Sequence, residues 1–450
     1  MNQLRRFFII VFAVLILLPV LFFNLERNAV SLIDNRHLAG NPFKSSGDLT
    51  NNIDNFVNDR IGFRDKLIST YTILNDRLFG KMVHPSYSYG KDGFVFGAGV
   101  STYNNFGEFH VVFANMIKSI QDYCEARDVP FLFVFNPAKP AVYQDKIAEG
   151  INYNREWVEM FFAELDERGV HYLDNTETLQ ALRAQGIDGF NQKYDANHWN
   201  DTGAFYGTQK ILERMQELCP TVHVNELSEF SKYETLQTSL HVSDFPINEY
   251  VPGYSFVNTS FENLTSEYSN EISMHPSHRG FGYFVNESRK QQGTPKALVF
   301  QGSYMNGQGY KYFINAFGEY IYVHDYQNVI EFPYFFNIFQ PECVIVEAGE
   351  YTLSDNYFSF EKMKAINYNP PLDSIQEDSL IEIDLSDQNV IVEEGETLVK
   401  ILWETDARYS NVWMKMEYSY DMFETENGYQ VTIDKEQFSA TENMKLFVLK

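Results

Sequence analysis

The chain has 450 residues, 44% hydrophobic and 16% aromatic, which is enough apolar side chain for two or three packed domains. Its formal charge of −26 argues against nucleic acid, whose phosphates call for lysine and arginine, and against a membrane-surface role beyond an anchor. The same acidic balance serves solubility without implying any partner.

Arg5 and Arg6 precede an apolar run, Phe7 to Phe23, that spans roughly 25 Å as a helix. With the basic flank first, the start is expected inside and the rest outside, as a single-pass anchor. No small-x-small cleavage site follows the run, so the anchor is expected to stay uncleaved. The anchor is assigned to residues 1–24 and a juxtamembrane helical segment with a hairpin to 25–100. Within the latter, Ile53, Phe56, Val57, Leu67, Ile68, Tyr71, Leu74 and Leu78 recur at helical spacing, with a break near Gly62. Lys91-Asp92-Gly93 reads as a hairpin turn between two short strands.

From 101 to 370 helices and strands alternate. Helices are expected at 111–126, 156–168, 176–184, 201–218 and 309–317, with another at 329–339 in doubt because of Pro333. Thr202 or Asp201 is the expected cap of the 201–218 helix. The strands are 130–135, 170–173, 297–301, 320–323 and 343–347. Continuous apolar strands between helices imply an open, mostly parallel α/β sheet with helices on both faces. Residues 221–290 are polar, aromatic-dotted and weakly periodic, and read as an insertion or cover. Past Pro370-Pro371 the segments 381–385, 398–403, 412–418, 429–433 and 446–449 have strand length and alternation. They make 371–450 a small β module, a sandwich in the simplest case. Cys124, Cys219 and Cys343 lie in or beside apolar segments without CxxC spacing, so neither a disulfide framework nor a zinc site is expected.

Chemistry concentrates at Tyr194-Asp195-Ala196-Asn197-His198-Trp199-Asn200. A carboxylate three residues before a histidine can fix its tautomer and stabilise its charged form, as a general base requires. A histidine in a polar turn can equally do no more than satisfy that turn. The serine in the matching setting is Ser303, where the strand Leu298–Gln301 runs into Gly302-Ser303 before a helix. There a hydroxyl is exposed beside helix N–H groups, at the carboxyl edge where α/β sheets bind ligands. Trp199 can stack on a sugar or pack as wall. Lys139 and Tyr143 are expected near the same crevice, and Tyr304, Trp199 and Lys139 are the expected substrate contacts. Glu347 and Glu350 are expected to face solvent more than the crevice. His324 and Asp325 form a rival pair, poorly placed as sequence neighbours to bond one another.

Several stretches together resemble the alginate O-acetyltransferase group, AlgX/AlgJ-like, with an SGNH-hydrolase-like domain of DHHW type. They are Asn58-Asp59-Arg60-Ile61-Gly62-Phe63-Arg64, Gly90-Lys91-Asp92-Gly93-Phe94-Val95-Phe96, Asn136-Pro137-Ala138-Lys139, His198-Trp199-Asn200 with Gly203-Ala204, and Gly302-Ser303-Tyr304. The resemblance spans about 30–355. It implies an extracytoplasmic, cofactor-independent enzyme that acetylates a polysaccharide, beside a membrane-bound O-acyltransferase that supplies the acetyl group. It makes Ser303 the nucleophile, His198 the base and Asp195 the acid. Many members place the acid two residues before the histidine, where this chain has Ala196, and read Gly-x-Ser where it has Gln301-Gly302-Ser303. A carbohydrate acetylesterase and a catalytically silent glycan-binding or assembly protein are the other readings. D-alanyl transfer to teichoic acid ranks last, because an acidic chain repels an anionic polymer.

Overall fold

The computed structural model describes residues 2–27, 29–31, 36–45, 48–84, 86–100, 105–241, 243, 245–438 and 444–449. Helix α1 (Asn2–Leu21) is exposed along its length and is long and apolar enough to cross a membrane. Helices α2 (Leu49–Arg60) and α3 (Arg64–Phe79) follow, separated at the expected break. Arg60 gathers the carbonyls of Asn24, Glu26 and Ala39, so the juxtamembrane segment is folded back on α2. Gly62 donates its N–H to Pro19 O at 2.8 Å. A Cβ at Gly62 would stand 2.6 Å from that oxygen, so the chain crosses the end of α1 only without a side chain there.

The hairpin of β1 (Tyr87–Tyr89) and β2 (Val95–Gly97) turns at Lys91–Gly93, where Asp92 and Gly93 have φ of 54° and 76°. It is stitched into the following domain: Val95 N–H donates to Gln192 O, and Lys139 Nζ donates to Val95 O. The sheet domain thus takes in the hairpin and does not begin at 101.

The remaining elements of that domain are α4 (Glu108–Glu125), β3 (Phe131–Asn136), α5 (Glu156–Glu167), β4 (Tyr172–Asp174), α6 (Asn175–Ala184), α7 (Asp201–Leu218), β5 (Phe230–Ser239), β6 (Pro246–Phe256), β7 (Glu262–Asn263), β8 (Phe281–Val285), β9 (Lys296–Gln301), α8 (Tyr310–Ala316), β10 (Glu319–His324), α9 (Phe332–Phe339) and β11 (Cys343–Gly349). The sheet order is β4-β3-β11-β9-β10-β8-β7. Its first five strands are parallel, and β8 and β7 are added antiparallel. In β3, Phe131, Phe133 and Phe135 join the core under α4, α5 and α9, while Leu132 and Val134 join the core under α6, α7 and α8. Burial on both faces explains its unbroken apolar run.

Segment 221–290 does not act as one cover. The hairpin β5–β6 stands outside the main sheet, whereas β8 and β7 extend it at one side. Asp201 anchors that hairpin by accepting Tyr254 N–H at 2.6 Å and Tyr312 OH at 2.7 Å. Helix α9 forms despite Pro333, because the proline lies in its first turn, where its missing N–H has no acceptor in any case.

The C-terminal module packs two four-stranded sheets around Trp403, Tyr429, Leu446 and their neighbours. Leu380–Ile383, Lys445–Leu449, Val412–Lys415 and Ser419–Asp421 form one sheet. The other holds Asn389–Glu394, Leu398–Glu404, Gly428–Asp434 and Phe423–Thr425.

Candidate active site

Residues 194–200 form the turn into α7. Asp195 folds it: its Oδ1 accepts the backbone N–H groups of Asn197 at 3.0 Å and His198 at 3.1 Å. The same carboxylate lies 3.0 Å from His198 Nδ1. The three-residue spacing therefore lets one side chain build the turn and orient the imidazole. Ala196, at the alternative position, is buried in the wall beneath. The helix cap is Asn200, one residue before the expected position, and its side chain accepts Gly203 N–H. A Cβ at Gly203 would clash with the Gly189 backbone, so this turn closes only on glycine.

Ser303 opens the helical turn after β9, and a π-turn at Met305–Gly309 carries it into α8. The register brings the ends of β9, β10 and β11 together, with Gln301 opposite His324 and Phe300 opposite Val346. Across this edge His198 Nε2 lies 2.8 Å from Ser303 Oγ, so Asp195, His198 and Ser303 stand in one continuous line of contacts. Burial alone would raise the Asp195 carboxyl, but the imidazole and two backbone N–H groups outweigh it and hold the carboxyl well below its usual range. Burial depresses the imidazole, Asp195 outweighs that, and His198 ends above 6.5.

A residue absent from the sequence expectations completes the site. The Tyr351 hydroxyl is 2.8 Å from Ser303 Oγ and 2.6 Å from His198 Nε2. Its only advance signal was its place just after the carboxyl end of an apolar strand.

Glu347 and Glu350 do not face solvent; each is 1% exposed. Strand β11 is central in the sheet and runs on to Gly349, which carries both carboxylates into the floor of the crevice. Glu350 accepts Ala138 N–H, Tyr153 OH and Arg155 Nε–H. Glu347 accepts Gly302 N–H at 2.7 Å and the Asn136 side-chain amide at 2.8 Å. The N–H just before Ser303 is therefore taken up by Glu347. The first N–H groups of the helix starting at Ser303 have no intrahelical acceptor. A Cβ on Gly302 would stand 3.5 Å from both Glu347 Oε2 and Asp325 Oδ2, so the two carboxyls meet beneath that residue. Burial and the Asp325 carboxylate push Glu347 up to about 8. His324 Nδ1 is 3.1 Å from Asp325 Oδ1 but misaligned for a hydrogen bond, and the rival pair makes no relay.

The three expected substrate contacts are all buried. Lys139 is 0% exposed, and its Nζ donates to the carbonyls of Val95, Gln192 and Asp195; burial lowers it to about 7. It bolts the hairpin to the Asp195 turn. Trp199 is 1% exposed, packs against Gly207 and donates to Tyr304 O, leaving no ring face open to a sugar. The buried Tyr304 hydroxyl lies within hydrogen-bonding reach of Pro137 O and Asn197 O. Tyr143 is likewise buried and donates to Asp188. Among the described residues no cluster of three histidine, cysteine or carboxylate side chains is arranged to hold a metal.

Residues 88–243 match the family model of the SGNH hydrolase-like domain, acetyltransferase AlgX. The matched span holds Asp195 and His198 and stops before Ser303. No curated protein matches the chain. Among solved structures, Bacillus cereus PatB1 is 15% identical, with a TM-score of 0.47 over 60% of this chain and 97% of that one. The O-acetyltransferase domain of Pseudomonas putida AlgJ is 13% identical, with a TM-score of 0.41 over 66% of this chain and 97% of that one. Pseudomonas aeruginosa AlgX is 12% identical, with a TM-score of 0.38 over 81% of this chain and 87% of that one.

Proposed function

We propose that this chain is an extracytoplasmic O-acetyltransferase that moves an acetyl group onto a polysaccharide hydroxyl through Ser303, His198 and Asp195. The observation that carries this reading is the 2.8 Å approach of His198 Nε2 to Ser303 Oγ, with Asp195 held on the far side of the ring. The AlgX-type span around Asp195 and His198 supports the acyl chemistry. Helix α1 supports attachment to a membrane, with Arg5 and Arg6 inside and the catalytic domain outside. The acetyl donor is then a membrane-bound O-acyltransferase that passes the group outward.

In the first half-reaction His198 Nε2 takes the Ser303 proton as Oγ attacks the donor's acetyl carbonyl. The donor oxygen leaves with that proton, and acetyl-serine remains. In the second, a sugar hydroxyl attacks the acetyl-serine carbonyl. His198 takes its proton and returns it to Ser303 Oγ. Tyr351, touching both reacting atoms, is placed to donate to the serine oxygen as it gains charge. Attack by water in the second half makes the same machinery an esterase.

The test is mass spectrometry of the intact chain after exposure to p-nitrophenyl acetate. An acetyl adduct on Ser303, with p-nitrophenol release lost in a folded Ser303→Ala variant, is the expected result. Release that persists in that variant discards the mechanism. Because the base must be neutral, the rate should rise with pH through a midpoint above 6.5, the ordinary histidine value.

A further inference from the structure

The acetyltransferase reading leaves the acceptor unnamed, and a cleft beside the relay bears on it. It has a volume of about 500 Å³, inside the roughly 300–1,000 Å³ range of ligand pockets. Its walls come from three places: the first turn of α4, the first turn of α5, and the segment after β11. Phe109, Trp157, Tyr351 and Tyr357 supply aromatic surface, and Asn105 and Asp355 supply polar groups. Tyr351 connects this cleft to the chemistry, because it lines the cleft while its hydroxyl lies 2.8 Å from Ser303 Oγ. Trp157 is 2% exposed, and its Nε1–H has no hydrogen-bond partner among the described residues. An indole N–H left without an acceptor in that wall is a buried polar group still to be satisfied.

Resting on that reading, we propose that this cleft holds the acceptor sugar and that the acceptor is an uncharged glycan, not a polyuronate. Aromatic faces bind the C–H faces of a pyranose, and the amide, carboxylate and indole N–H suit its hydroxyls. The charge argument separates glycan classes. Among the described lining residues there is neither lysine nor arginine, Asp355 adds an exposed carboxylate, and burial lowers the His110 pKa from its ordinary value. The Arg155 guanidinium, two residues before Trp157, is engaged by Glu350 at 3.3 Å. A sugar carboxylate would enter without a cation to meet it.

The experiment uses the full chain in detergent with p-nitrophenyl acetate as donor. Acceptors are the hexaoses of cellulose, mannan, xylan and chitin, with a mannuronate hexamer as the anionic probe. Acetylated product is read by mass spectrometry. At least one neutral hexaose is expected to be acetylated, and the uronate to be accepted poorly. Phe109→Ala and Trp157→Phe should each raise the acceptor KM at least about fivefold, the effect of one lost aromatic or hydrogen-bond contact. An unchanged circular-dichroism spectrum in both variants shows that the higher KM is not a folding defect. Asp355→Asn, which keeps an oxygen for the Phe360 N–H, should improve use of the uronate. Rejection of all four neutral hexaoses, preference for the uronate, or an acceptor KM unmoved in both Phe109→Ala and Trp157→Phe overturns the proposal. If p-nitrophenol release does not depend on Ser303, the acetyltransferase reading itself fails. Saturation-transfer NMR of the same hexaoses against the parent and Phe109→Ala then decides the cleft alone: signals weakened in the variant support it, and signals unchanged or absent overturn it.

Discussion

The Tyr351 hydroxyl lies within hydrogen-bonding reach of both Ser303 Oγ and His198 Nε2, and in the proposed mechanism it steadies the serine oxygen during proton transfer. Tyr351→Phe keeps the ring against His198 and Tyr304 and removes only that oxygen. Its kcat for p-nitrophenyl acetate is expected to fall about 10²-fold, the usual effect of deleting one oxyanion donor, with an unchanged circular-dichroism spectrum. Glu347 behaves differently. Its folded pKa of about 8 lies above the ordinary 4.5, so the native state holds a proton that the unfolded chain has released between those values. Its favourable contribution is fully present below pH 4.5 and is lost as pH rises toward 8. Urea melts at pH 5 and pH 8.5 should show stability declining across that window in the parent and declining less in Glu347→Gln. An equal decline in both would remove Glu347 as the cause.

At the scale of elements, the site is a meeting of three strand ends with one turn, and Lys139 is the joint that keeps the turn in place. Three carbonyls, from the hairpin strand β2, from Gln192 and from Asp195, converge on one ammonium. Lys139→Met would leave those buried acceptors without a donor while keeping much of the side-chain volume. The expected loss is about 3 kcal/mol or more, at roughly 1–3 kcal/mol for each orphaned group. It would be read as a lower urea midpoint, with activity falling as well because Asp195 belongs to the same joint. The hairpin 87–97, which includes the stretch Gly90–Phe96 that carries part of the resemblance, thus braces the Asp195 turn without touching Ser303 or His198. The Asp59-Arg60-Ile61-Gly62 landmark is also structural: Arg60 collects carbonyls, and Gly62 lets the chain cross the end of α1.

For the whole molecule, the C-terminal sandwich is docked through buried polar contacts. Asp421 accepts the Tyr123 hydroxyl at 2.8 Å, lies 3.4 Å from the Arg127 guanidinium, and exchanges backbone hydrogen bonds with the Asn337 side chain. The Arg127 guanidinium itself covers the Tyr123 ring at 3.5 Å. Removing one partner from a buried pair costs about 3–5 kcal/mol, because the other charge stays behind unpaired. Asp421→Ala is therefore expected to turn a single calorimetric unfolding transition into two, the sandwich melting first. A single transition at an unchanged temperature would mean that the two bodies are coupled elsewhere.

By itself the sequence determined what depends on near neighbours along the chain. The period of its apolar residues set the helices and strands, the unbroken runs marked buried parallel strands, and Asp195 with His198 was legible because a three-residue turn brings the two together without help. Ser303 was legible from its setting, a strand running into a glycine and then a helix. Tertiary structure alone decided the rest. Tyr351 reaches Ser303 only because β9 and β11 are neighbours in the sheet, and strand order is not written in any local pattern. Glu347 and Glu350 read as solvent-facing, yet they are buried because β11 lies in the middle of the sheet and ends at the crevice. Lys139 and Trp199 carry side chains suited to a ligand, but long-range packing turned both inward. A residue's chemistry is a property of its type, whereas what it touches depends on which distant segments the fold places against it.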